Sequence, residues 1–272
     1  MTKLTDFYKD HKCELLLPQH TGRKLISLAK ERLETMSALE EISLCDKEDI
    51  VIVGDIHGQV FDLINMLDLF DEPAPRHKYI FNGDFVDRGQ WGTEVLFILL
   101  GTEFSSSLRD RRQWIFSGYF LSCPGNVWLL RGNHEEDTIN SLYGFRDEVM
   151  EKYDMDMYME IQDLFRHFPV AATVDGKVFV SHGGIGSGLF SLDDLRSLED
   201  RHKLASMSGV LGDLLWSDPG PEDGTSDNLR GVSVVWGPDV TQSFLSTNSL
   251  ELIIRSHECV MTGHTRSAES GK

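Results

Sequence analysis

The sequence predicts an α/β fold with its chemistry at the carboxyl ends of strands. Three apolar runs each end in a short polar motif and then pass into a helix-patterned stretch. The motifs are Gly54-Asp55-Ile56-His57-Gly58, Gly83-Asp84-Phe85-Val86-Asp87-Arg88-Gly89 and Arg131-Gly132-Asn133-His134-Glu135. Strand, motif, helix, repeated, is the βαβ rhythm of a sheet whose ligands gather where strands end. Two later histidines, His182 and His257, also follow β-rich runs.

In chain order, Thr21 reads as the cap of a helix with Leu25, Leu28, Ala29, Leu33 and Met36 on one stripe. Ile50-Val51-Ile52-Val53 has no polar break, the pattern of a strand buried on both faces. The next helix directs Phe61, Ile64, Leu67 and Phe70 to the core, and Tyr79-Ile80-Phe81 is the second strand. An apolar helix over 94–100 and a third strand over 127–130 follow, then helices to about Phe168. Asp175-Gly176, between two β-prone runs, predicts a tight hairpin. Ser191 opens another helix, and 218–228, rich in Pro, Gly and Asp, reads as a surface loop. A strand over 231–236, a helix over 239–248 and a strand over 250–254 complete the pattern. No linker divides the chain, so a single domain over 1–272 is expected.

The formal charge is −18. Phosphate backbones and anionic headgroups demand Lys and Arg, so nucleic-acid and membrane partners are not expected. Basic peptides would be steered favourably by the same charge. Cys13, Cys45, Cys123 and Cys259 form no C-x-x-C pair. That usage fits a reducing compartment, and the N-terminus lacks an apolar signal core. A cytoplasmic or nuclear protein is expected; the oligomeric state is open.

Carboxylate, imidazole and amide oxygen are the donors that divalent metals take in hydrolases. Asp55 and His57, one residue apart, can turn toward one ion as their strand ends. Asp84 has two oxygens that could bridge two ions, and Asn133, His182 and His257 could complete the second sphere. Taken singly, each has a bland alternative: Asn133 as a helix N-cap, Gly83-Asp84 as a turn. Their joint, ordered occurrence after strands favours a metal centre. His20, His77, His167, His202 and His264 lack that context.

The three motifs resemble those of the phosphoprotein phosphatase family, the serine/threonine phosphatases with a dinuclear metal centre. The second half agrees through His182-Gly183-Gly184, Leu215-Trp216-Ser217-Asp218-Pro219, Arg230-Gly231-Val232-Ser233 and Ile254-Arg255-Ser256-His257-Glu258. The resemblance runs from about residue 20 to about 258, closest to the branch of protein phosphatase five and the plant phosphatase seven type. It implies a calcineurin-like metallophosphoesterase fold, with a central β-sandwich flanked by helices. It also implies that Asp55, His57 and Asp84 hold a first metal, and Asp84, Asn133, His182 and His257 a second. Mn²⁺ leads, with Fe and Zn²⁺ compatible. Arg88 and Arg230 are implied to clamp the phosphate, and His134, paired with Asp87, to protonate the leaving serine or threonine oxygen. Metal-activated hydroxide would attack phosphorus directly. Phosphoprotein substrates and regulatory proteins are the implied partners. For Arg88 the competing reading is an ion pair with Asp87. Asp218 reads as a loop anchor.

Two departures stand out. Residues 101–117 have no counterpart in the family pattern; they read as an inserted exposed loop, from which Trp114, Ile115 and Phe116 could dock on the body. The family also continues for several tens of residues beyond its match to His257, so core strands are expected to be missing. A dinucleoside-polyphosphate hydrolase shares the first three motifs and is the enzymatic alternative. An inactive, truncated phosphatase-like protein is the other.

Overall fold

The computed structural model describes residues 16–101, 103–105, 113–115, 119–198, 200–204 and 206–266. Its helices are α1 (Gln19–Leu33), α2 (Val60–Phe70), α3 (Gly92–Leu100), α4 (Tyr119–Ser122), α5 (Asp137–Tyr143), α6 (Phe145–Lys152), α7 (Met155–Arg166), α8 (Leu192–Arg196), α9 (Gly209–Trp216) and α10 (Pro238–Asn248). The strands are β1 (Leu39–Ile42), β2 (Asp49–Val53), β3 (His77–Phe81), β4 (Glu103–Ser105), β5 (Gln113–Ile115), β6 (Val127–Leu129), β7 (Ala171–Val174), β8 (Val178–Ser181), β9 (Asp218–Pro219), β10 (Thr225–Asp227), β11 (Val234–Trp236) and β12 (Leu252–Arg255). Contacts divide the chain into two compact units. The first comprises Met1–Thr35, Lys47–Leu129 and His134–His167; the second comprises Met36–Asp46, Leu130–Asn133 and Phe168–Lys272.

The first unit is built on the parallel sheet β2-β3-β6. Its connections carry helices, as parallel strands require. β3, the central strand, buries Lys78, Tyr79, Ile80 and Phe81. β2, expected to be covered on both faces, is only half-buried. On α2 the buried stripe is Val60, Leu63, Ile64 and Leu67, while Phe61 and Phe70, expected inside, are 42% and 56% exposed. On α1, Ile26 is buried and Leu28 exposed. Thr21 does not cap this helix: Pro18 stands at the N-cap, and its carbonyl accepts from Thr21 and Gly22. The segment over 101–117 contributes β4 and β5, an antiparallel pair. The loop over 106–112 and the docking of Trp114, Ile115 and Phe116 lie outside the described residues.

The second unit has a mixed sheet, β1-β7-β8-β12. β7 and β8 form the predicted hairpin; its three-residue connection turns at Asp175 (φ 52°) and Gly176 (φ 63°), where Lys177 N–H donates to Val174 O at 3.0 Å. Both central residues need positive φ in that turn type, which Asp-Gly tolerates. The stretch over 218–228 is more ordered than a surface loop: β9 and β10 both pair with β11, and Asp218 is buried. Ser191 caps α8 with Asp194 in a reciprocal capping box.

Close packing fixes glycine in the turn after His182. A methyl on Gly184 would lie 2.0 Å from the Trp236 ring. Gly184→Ala is therefore expected to lower the stability of this unit by about 1–3 kcal/mol, read as a fall in the urea midpoint. An unchanged midpoint would mean that Trp236 does not pack there.

Candidate metal centre

In the first unit, backbone hydrogen bonds bind the ends of β2 and β3 together beyond the sheet. Asn82 N–H donates to Val53 O (2.8 Å), and Ile56 and His57 N–H both donate to Asp84 O (3.0 and 2.9 Å). Gly58 N–H donates to Phe85 O at 2.8 Å. The turns are tight enough to force left-handed backbone at His57 (φ 45°), Asp84 (54°), Asp87 (71°) and Arg88 (63°). For residues with side chains that conformation is strained and persists only where surroundings over-determine it. The buried Glu135 carboxylate supplies much of that determination, accepting from the N–H groups of Asp84 and Phe85, each at 2.8 Å.

The result is a convergent donor set. His57 Nε2 lies 3.5 Å from Asp84 Oδ2 and 3.8 Å from Asp55 Oδ2. Its other nitrogen, Nδ1, is 2.8 Å from Val86 O. A carbonyl only accepts, so Nδ1 carries the hydrogen and the Nε2 lone pair faces the carboxylates. Burial pushes the imidazole below its ordinary pKa, outweighing the Asp84 charge that raises it. A neutral imidazole and two carboxylates at these spacings fit a divalent cation.

His134 is held for a different task. Its Nδ1 is 2.6 Å from Asp87 Oδ2, and Asp87 Oδ1 accepts from Phe145 N–H at 2.9 Å. Its own backbone N–H donates to Asp84 Oδ1 at 3.0 Å. Burial pushes its pKa down, but the Asp87 hydrogen bond and the charges of Asp84, Asp87 and Glu135 raise it above the usual 6.5. Arg88 is exposed, and among the described residues its guanidinium has no carboxylate partner. The expected alternative, an Arg88–Asp87 ion pair, is absent because His134 and Phe145 occupy Asp87.

The second unit carries the other donors. His182, at the end of β8, has Nε2 2.9 Å from Asn133 Oδ1 and 3.1 Å from His257 Nδ1. His257 follows β12 with φ 71°, and Ser256 N–H ties that turn to His182 O at 3.0 Å. Amide oxygen and two imidazole nitrogens within hydrogen-bond distance also suit a cation. The five histidines set aside on sequence join no metal-holding cluster among the described residues.

Asp218 is the anchor that sequence reasoning left without a partner. It accepts from Arg230 Nε (2.6 Å), Arg255 Nη2 (2.8 Å) and Asn228 Nδ2 (3.1 Å). Burial pushes its carboxyl up, but the Arg230 hydrogen bond and the Arg255 charge hold it below the usual carboxylate range. Arg230 also reaches His257 O at 3.3 Å. Glu135, Asn228 and Arg255 were likewise missed. Glu135 and Arg255 stood inside the motifs without a role, and Asn228, two residues before Arg230, closed the stretch read as a loop.

Residues 49–261 match the calcineurin-like phosphoesterase family. The chain is 41% identical over 266 residues to human serine/threonine-protein phosphatase 5, covering 97% of this chain and 49% of that protein. It is 38% identical over 244 residues to serine/threonine-protein phosphatase T of Schizosaccharomyces pombe, covering 89% and 48%. It thus spans about half the length of the curated relatives it matches. A solved Saccharomyces cerevisiae protein serine/threonine phosphatase, described as similar to human PP5, aligns with TM-score 0.80 and 33% identity over 90% of this chain and 72% of its own. A cold-active protein tyrosine phosphatase shares the fold at TM-score 0.56 and 18% identity, covering 91% of this chain and 76% of its own.

In metal-free protein the His134 imidazolium is expected to titrate above 6.5, and Asp87→Asn to lower that value; histidine NMR resonances followed against pH measure both. A raised folded value stabilises below the unfolded pKa and is lost as pH rises through the folded one. Stability should therefore fall with rising pH through the folded His134 value, and fall less in Asp87→Asn. Equal titration in the two proteins would remove Asp87 as the cause.

Proposed function

The chain belongs to the calcineurin-like phosphoesterase family, and on that premise we propose that it is a serine/threonine phosphoprotein phosphatase. The observation that carries the reading is His134, bound to Asp87 at Nδ1, raised in basicity and set beside His57 and Asp84. The relatives' names support the same activity. In this reading Asp55, His57 and Asp84 would hold one divalent ion, and Asn133, His182 and His257 would contribute to a second. Such a pair, when bound, supplies a nucleophilic water at neutral pH and positive charge for the phosphoryl oxygens. Mn²⁺ is our leading candidate, and Fe and Zn²⁺ suit the same donors.

The chain's own side chains supply the rest. Arg88, exposed and uncommitted, and Arg230, steadied by Asp218, bind the non-bridging phosphate oxygens; planar guanidinium matches them in pairs. As the oxygen of water bonds to phosphorus, the ester bond to the serine or threonine oxygen breaks. His134 gives its Nε2 proton to that leaving oxygen, and the Asp87 carboxylate at Nδ1 stabilises the cationic donor beforehand. Asp218 holds Arg230 through two donors and so fixes the direction of its fork. The dinucleoside-polyphosphate alternative gains nothing from that pairing, which joins the Leu-Trp-Ser-Asp-Pro and Arg-Gly-Val-Ser blocks that favour the protein phosphatase. Phosphoproteins are the proposed substrates and the cytoplasm or nucleus the proposed location. No helix among the described residues is long and apolar enough to cross a membrane.

Hydrolysis of p-nitrophenyl phosphate and of a phosphothreonine peptide is expected to require Mn²⁺, to cease with chelator and to return on readdition. His134→Asn should lower kcat by about 10²- to 10⁴-fold on the peptide. The reading fails if His134→Asn turns over the peptide at the wild-type rate, or if a folded, Mn²⁺-loaded chain hydrolyses neither substrate.

A further inference from the structure

Helix α6 makes a series of contacts to the loop that carries Arg88. At its start, Phe145 N–H donates to Asp87 Oδ1 at 2.9 Å. In its middle, Glu148 accepts from Gly92 N–H (3.0 Å), Thr93 N–H (2.7 Å) and Thr93 Oγ1 (2.8 Å), the first groups of α3. That helix has no cap of its own, since Trp91 stands at its N-cap without a side-chain bond. At the end of α6, Lys152 Nζ donates to Gln90 O (2.9 Å) and Thr93 Oγ1 (3.2 Å), pairs with Glu94 (2.6 Å) and Glu148 (2.9 Å), and lies 5.2 Å from the centre of the Trp91 ring.

The loop needs this hold. Asp87 and Arg88 both have positive φ, and the backbone beside them is held at Arg88 N–H, to Tyr143 O (3.2 Å), and at Gly89 N–H, to His57 O (3.0 Å). Glu94 and Glu148 are 7% and 8% exposed at the side chain, Lys152 19%. An ion cluster that dry has little contact with solvent, and removing its cation leaves two carboxylates together. Its contacts run to residues 90–94, immediately beyond Arg88.

We infer that Glu148 and Lys152 are positioning residues for the reaction, acting through residues 90–93 to hold the Arg88 guanidinium where it meets phosphate. The inference rests on the phosphatase reading for its kinetic consequence and on α6 alone for its structural one. Neither residue touches substrate. Their loss releases the loop, so Arg88 samples directions that do not meet the phosphate oxygens.

The test uses Glu148→Gln, Lys152→Gln and the conservative Lys152→Arg, alone and combined with Arg88→Ala, in the full chain with Mn²⁺. Amide hydrogen exchange reads the loop directly: faster exchange over 88–93 is expected in Glu148→Gln and Lys152→Gln, with the β2-β3-β6 strands unchanged. Competitive inhibition by inorganic phosphate should weaken about 10- to 100-fold in both, with Lys152→Arg restoring part of it. On the Arg88→Ala background neither change should weaken it further, because one contact is lost only once. Additive losses on that background, or wild-type exchange over 88–93, overturn the inference. If the unmodified chain lacks phosphatase activity, the functional reading fails; the positioning role is then decided by exchange and by phosphate protection of the loop.

Discussion

The Glu135 carboxylate is the constraint on which the first donor set depends. It is fully buried and accepts the N–H groups of Asp84 and Phe85. A buried carboxylate is tolerable only where hydrogen bonds replace its water, and two backbone donors do so. In exchange the turn after β3 is held with Asp84 in left-handed backbone. Its carbonyl is then free to receive Ile56 and His57 N–H, which sets the turn after β2. Gly89 completes the arrangement: a methyl there would lie 2.3 Å from His57 O. The turns after β2 and β3 and the Glu135 carboxylate, far apart in the chain, thus become one hydrogen-bonded frame within the first unit.

In that frame the two histidines acquire opposite characters from similar burial. His57 has its Nδ1 on a neutral carbonyl, and burial depresses its basicity, which suits a metal ligand. His134 has its Nδ1 on a carboxylate, and that bond with the neighbouring charges raises its basicity despite burial, which suits a proton donor. The partner of the remote nitrogen decides the role.

Much of this was legible in the sequence. The strand–motif–helix rhythm gave the parallel sheet, Asp175-Gly176 gave the hairpin of the mixed sheet, and donor chemistry at strand ends singled out His57, Asp84, His182 and His257, which lie in groups that could hold an ion. What escaped depended on partners distant in the chain. Asp218 sits among Pro and Gly and looks solvated, yet Arg230 and Arg255 bury it. Glu135 reads as the polar end of a motif until its acceptors' partners, about fifty residues earlier, are known. Phe61 and Phe70 were placed inside because this helix carries more apolar residues than one face can bury, and spacing alone does not say which of them meet the core. The cap of α1 was misread for a related reason: Pro18 already fixes the entry that Thr21 was expected to make.

The central claim is that the Asp55, His57 and Asp84 donors of the first unit would hold a divalent ion. Metal content is its most direct test: load the chain with Mn²⁺, desalt it, and count manganese per chain in the unmodified protein and in Asp84→Asn. The account predicts bound manganese in the first and loss of the Asp84-dependent site in the second, with the fold retained by circular dichroism. Undiminished manganese in Asp84→Asn, or none in a folded unmodified chain, would contradict it.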